Sequence, residues 1–149
     1  MTSAGTGALV GEPIDSAMAE LMRADGVPVE DFSARQLTEE HAREANLILA
    51  MTRDHRAQVV EIFPGAVRRT FTLLEFAHLA SAVAQPGPSG RVGTCLEAML
   101  PLVVSARSVS GNPPNGQDIA DPFRGSNDLF HQTYSSIFEA VETVMRSIR

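Results

Sequence analysis

The residues best suited to chemistry stand together in Asp118-Ile119-Ala120-Asp121-Pro122-Phe123. Two carboxyl groups lie three positions apart, and the second precedes a proline, whose ring biases the residue before it towards extended backbone. An acid held that way, with Pro122 behind it and the aromatic Phe123 next, can pass a proton at the mouth of a cleft. Taken alone, Asp-Pro also reads as an ordinary surface turn. Asp118 is an alternative acid. The partners such an acid needs are not evident nearby. His41, His55, His78 and His131 are scattered, without ligand spacing such as His-x3-His, so structural or solvated roles are expected, with no metal. Cys95, the single cysteine, reads as a small buried hydrophobe on a helix. The pair Arg68-Arg69 reads as a solvated face.

The elements that must position the acid fit one domain over residues 1–149, because 44% apolar content is enough for a single core. The net charge is −6, and the twelve basic residues are all arginine, with no basic block, which argues against nucleic acid or a membrane surface as a partner. A lone cysteine excludes an intrachain disulfide framework and points to a reducing compartment. No apolar run approaches the roughly 20 residues of a membrane span, and the N-terminus lacks signal-peptide character. A cytoplasmic domain without a cofactor is expected.

Along the chain, Pro13 and Asp15 start a helix with Ile14, Met18, Leu21 and Met22 on one face and Gly26 as its stop. Thr38 is a natural N-cap for a short acidic-start helix over 39–45. The apolar run Leu47–Met51 reads as a strand buried on both faces, hence parallel. Thr52 caps a helix over 53–63 that Pro64-Gly65 ends. Thr70–Leu74 predicts a second buried strand. A helix over 75–84 then runs into the linker Pro86–Gly90. The helix over 94–109 is expected to kink or break at Pro101. After the turn-rich stretch 111–116 comes the best-patterned helix, capped by Ser126 or Asn127. Its predicted apolar stripe is Phe130, Tyr134, Ile137, Phe138, Val141, Met145 and Ile148. This alternation predicts a parallel α/β sheet wrapped by helices.

Three stretches jointly resemble the low-molecular-weight protein-tyrosine phosphatase family. They are Ser3-Ala4-Gly5-Thr6 with Gly11-Glu12-Pro13, Ala34-Arg35-Gln36-Leu37-Thr38 ahead of a strand ending in Met51, and Asp118–Phe123, in matching order and spacing. The resemblance implies a doubly wound sheet of four parallel strands in the order 2-1-3-4. It makes Asp121 the general acid that protonates the leaving tyrosine oxygen, with Asp118 and Pro122 supporting it. Phe123 corresponds to an aromatic lining the phosphotyrosine slot, and Leu9 approximately to a rim position. Ser3 corresponds to a buried hydroxyl that supports the phosphate loop. The implied substrates are a phosphotyrosine protein or a small aryl phosphate. The stretch over about 80–117 departs from the family as a longer helical or loop insertion.

One part of the pattern is missing. The family's nucleophile sits in Cys-x5-Arg-Ser, where backbone N–H groups and an arginine clamp the phosphate. Cys95 cannot serve, because the residue six positions on is Pro101. First strand, phosphate loop and first helix are therefore expected to be absent, and the chain as written to be inactive. Three readings stay open: an N-terminally shortened phosphatase, an inactive phosphatase-like binding or regulatory module, and a coincidental α/β domain. Without a central strand, the exposed strand edges imply instability, self-association or a borrowed strand. The third and fourth family strands could still pair with each other.

Overall fold

The computed structural model describes residues 1–83, 91–111, 113 and 116–148. Its elements are α1 (Ser16–Ala24), α2 (Glu39–Glu44), β1 (Ile48–Ala50), α3 (Arg53–Ile62), β2 (Thr70–Thr72), α4 (Leu73–Ala82), α5 (Val92–Arg107) and α6 (Asn127–Ser147). Caps set most of the starts. Asp15, Thr38, Thr52, Thr72 and Ser126 each accept a backbone N–H from the first turn of the helix they open, filling donors the helix cannot use itself.

Strands β1 and β2 pair in parallel, Ile48 opposite Thr70 and Ala50 opposite Thr72, and α3 is the crossover between them. Alternation along the strand splits the interior in two. Ile48 faces a small cluster of Ala42, Val59 and Ala66, while Leu47, Leu49 and Met51 face the main core of Phe71, Phe76, Met99, Val103 and Val144. Helix α4 packs on α6 and α5, and α1 packs on α6. The Ser3–Thr6 stretch makes no strand; Gly5 forms an isolated parallel bridge with Gln36, donating its N–H to the Arg35 carbonyl and accepting from the Leu37 N–H. Among the described residues the sheet has two strands.

Several expectations shift. The second strand stops at Thr72 and α4 begins at Leu73, because Thr72 and Glu75 form a reciprocal capping box that favours helix over further strand. A 3-10 helix over Pro64–Arg69 fills what read as a plain stop. Ile48 and Leu49 are partly exposed, not buried on both faces. Of the kink or break expected at Pro101, the break does not occur, since α5 is continuous there; Glu97, whose carbonyl loses its N–H partner to the proline ring, is exposed to solvent, as is Pro101. The predicted stripe of α6 holds in part, with Ile137 and Met145 packed against the main core. Phe130, Thr133, Ala140, Val144 and Ile148 are buried, whereas Phe138 and Val141 remain 47% and 44% exposed. Helix α5 fills much of the 80–117 stretch read as an insertion, and the Pro86–Gly90 linker lies outside the described residues.

Candidate active site

The Asp118–Phe123 loop runs into α6 and is tied down at successive residues. Asp118 accepts the Arg53 backbone N–H at 2.7 Å, and the Arg53 guanidinium grips the same carboxylate through Nε (3.0 Å) and Nη2 (2.8 Å). Arg53 opens α3 directly after β1, so this fork joins the loop to the strand end. Its hydrogen bonds hold the Asp118 carboxyl below its usual range and push the arginine up in return. Next, the Ile119 N–H donates to the Met51 carbonyl at 2.9 Å while the Ile119 side chain is buried in the main core. The Thr133 hydroxyl of α6 then donates to the Ala120 carbonyl at 2.9 Å.

Beyond these anchors the chain turns sharply. Asp121 is exposed; its Oδ1 accepts the Phe123 N–H at 2.9 Å, and its Oδ2 has no hydrogen bond among the described residues. The Pro122 carbonyl accepts the Gly125 N–H at 2.7 Å, closing a turn whose third residue, Arg124, has φ 59°. Gly125 is required there: a Cβ would stand 2.8 Å from both the Pro122 oxygen and Leu129 Cδ2. Phe123 is 53% exposed, with the Arg124 guanidinium 5.1 Å over its ring centroid. The result is a carboxyl group with one oxygen committed to the turn and the other open, on a loop fixed at three consecutive residues.

Ser3 and Leu9 make no hydrogen bond or ion pair with that loop among the described residues. Ser3 is exposed, unlike the buried hydroxyl it was matched to, and with Gly5, Phe32 and Arg35 it lines a shallow apolar groove of about 270 Å³. None of residues 118–123 lines that groove. Leu9 is 60% exposed, in a turn closed by the Glu12 N–H on its carbonyl. Cys95 is buried in α5. His41 serves its own helix, its Nδ1 accepting the Thr38 N–H at 3.2 Å. No group of three or more His, Cys, Asp or Glu residues suited to a metal occurs among the described residues.

Two contributors were not foreseen. Arg53 left no local signal, because its partner is 65 residues away. Glu75 left one: Thr72-x-x-Glu75 is a readable capping box. Behind β2, Glu75 receives Arg107 through Nε (2.8 Å) and Nη2 (2.7 Å), and Arg56 approaches it at 4.0 Å. Burial, and then the charge of Arg107, lower the pKa of Arg56.

The sequence profile described as "Low molecular weight phosphotyrosine protein phosphatase" matches residues 1–92. The chain is 45% identical over 138 residues to the low molecular weight protein-tyrosine-phosphatase Etp of Escherichia coli, an alignment covering 93% of this chain and 68% of Etp. It is 35% identical over 103 residues to Wzb of Salmonella typhi, covering 69% of this chain and 67% of that one. Among solved structures, the tyrosine phosphatase AmsI of Erwinia amylovora superposes with TM-score 0.69 at 24% identity, over 98% of this chain and 72% of AmsI. The YwlE arginine phosphatase of Geobacillus stearothermophilus does so with TM-score 0.65 at 24% identity, over 96% and 70%. These structural likenesses carry the fold.

Proposed function

The chain belongs to the low molecular weight protein-tyrosine phosphatase family, and from that premise we propose that it supplies the proton-transfer half of a phosphotyrosine monoesterase site. Asp121 is the general acid. Protonated on Oδ2, it delivers its proton to the phenolic oxygen as the P–O bond breaks; afterwards the same oxygen takes a proton from the water that releases phosphate. Phe123, exposed beside it, offers an aromatic surface to the substrate ring. Asp118 and Pro122 hold the acid in place, Asp118 through Arg53 and Pro122 through its turn. Leu9 belongs to the rim, and Ser3 to the support of the phosphate loop. The fold also occurs in an arginine phosphatase. Preference for tyrosine rests on the more similar relative, Etp, a protein-tyrosine-phosphatase.

The observation that carries this reading is the open Oδ2 of Asp121 on a loop anchored at Asp118, Ile119 and Ala120. The thiolate and the phosphate-clamping arginine are not among these 149 residues, since the one cysteine has Pro101 six positions on. The 149-residue chain should therefore leave p-nitrophenyl phosphate unhydrolysed above buffer. A protein in which a strand and a Cys-x5-Arg-Ser loop with its helix precede Met1 should hydrolyse it. In that completed protein, Asp121→Asn should slow phenyl phosphate turnover by about 10²–10⁴-fold, the usual reach of general acid catalysis, and p-nitrophenyl phosphate by less. Equal rates with and without Asp121 in the completed protein refute the assignment. Turnover by the 149-residue chain that disappears with Asp121→Asn would instead refute its expected inactivity.

A further inference from the structure

Resting on that reading, we infer that Arg124 selects substrates that carry acidic residues next to the phosphotyrosine. Among the described residues Arg124 is the one non-glycine residue with positive φ, at 59°. That conformation crowds Cβ against the backbone and suits glycine or asparagine better than arginine. The turn enforces it, through the Gly125 N–H on the Pro122 carbonyl and the lack of room for any side chain at 125. Strain kept at a functional loop points to a use for the side chain that bears it.

The chemistry of that side chain indicates the use. Its guanidinium lies over the Phe123 ring, exposed, and makes no ion pair or hydrogen bond among the described residues. Arg53, by contrast, is consumed by Asp118, and Arg107 by Glu75. An uncommitted planar cation, held by an aromatic face and standing three residues from the general acid, presents a fork that fits a carboxylate. In an extended peptide, neighbours of the phosphotyrosine stand about 3.3–3.6 Å further along per residue, within an arginine's span of the acid loop. The chain's net charge of −6 repels acidic peptides at long range. Attraction at this loop is therefore local, acting within the Debye length of about 8 Å at physiological salt.

The test uses the completed protein and three substrates: p-nitrophenyl phosphate, a phosphotyrosine peptide with glutamates at the two flanking positions, and the same peptide with glutamines there. Wild type should prefer the glutamate peptide by about three- to tenfold in kcat/KM, the range from an exposed ion pair to a bidentate one. Arg124→Asn, which accepts the positive φ, should bring the ratio near one without changing p-nitrophenyl phosphate turnover. Arg124→Lys should keep part of it, and raised salt should erode it in wild type and in Arg124→Lys but not in Arg124→Asn. An unchanged ratio in Arg124→Asn overturns the inference and leaves the phosphatase reading standing. A p-nitrophenyl phosphate rate that falls in step with the peptides also overturns it, because Arg124 then serves the phosphate itself. A completed protein inert towards p-nitrophenyl phosphate removes both.

Discussion

Arg107→Met tests whether the charged cluster behind β2 holds the scaffold of the site. Arg107 makes two hydrogen bonds to the Glu75 carboxylate at 2.8 and 2.7 Å and one to the Thr70 carbonyl at 3.0 Å, and stacks 4.1 Å over Phe71. Glu75 is only 7% exposed and closes the capping box of α4. Removing the arginine leaves a buried carboxylate with Arg56 at 4.0 Å as its remaining cation. Breaking one side of a buried ion pair costs about 3–5 kcal/mol, and the cation–π contact adds about 1 kcal/mol. Arg107 is still partly exposed, and methionine refills some of its volume, so a net loss of about 3 kcal/mol is expected. Urea unfolding followed by far-ultraviolet circular dichroism measures it. The double variant Arg107→Met/Glu75→Gln keeps a capping side chain but no buried charge, so it should recover more than about 1 kcal/mol of the loss. A single variant within about 1 kcal/mol of wild type, or a double variant no better than the single, would show that the cluster is not holding β2 to α4.

Two further outcomes concern the acid loop. Gly125→Ala forces a methyl group against the Pro122 carbonyl and Leu129, and overpacking of this kind costs about 1–3 kcal/mol. In the completed protein it should also lower kcat by displacing Asp121, whereas activity unchanged from wild type would mean that the turn is not what aims the acid. Asp118→Asn removes the charge on the Arg53 clamp. Because Asp118 titrates below its ordinary 3.8 in the folded state, its contribution is complete above the unfolded value and is lost as pH falls through the lower folded one. The stability gap between wild type and Asp118→Asn should therefore be flat above about pH 5 and close below about pH 4; a gap independent of pH would refute the clamp as an ionic one.

Legibility in the sequence followed the range of the interactions. The helix caps Thr38, Thr52 and Ser126 were readable because a cap and its N–H lie within one turn. The parallel character of the two apolar strands was readable from their composition, and their pairing only from the family resemblance. The start of α4 was missed although the signal was local: Thr70–Leu74 looks β-branched and aromatic, and the capping box at Thr72 outweighed that preference. The burial line of α6 was legible at Phe130, Ile137, Met145 and Ile148 but misplaced on one flank. Tyr134, Phe138 and Val141 continue the apolar pattern, but which stripe a helix buries is set by what packs on it, and here α4 covers the neighbouring one. At the site, the Asp-Pro-Phe turn was legible as a motif. Its anchor on Arg53 was not, since nothing near Asp118 in the sequence indicates the start of α3.

The crossover from β1 through α3 to β2 bears on how the chain assembles. Ile48 to Thr72 forms a parallel pair with its own helix, and its small cluster of Val59 and Ala66 takes Ala42 and Leu37 from just outside that span. Its contacts join residues close in the chain, and local closure is the least costly in loop entropy. The Asp118–Phe123 loop, by contrast, can reach Arg53 and Met51 only across more than sixty residues. Seating the acid therefore closes a far longer loop than pairing the strands does, and carries the larger entropic cost.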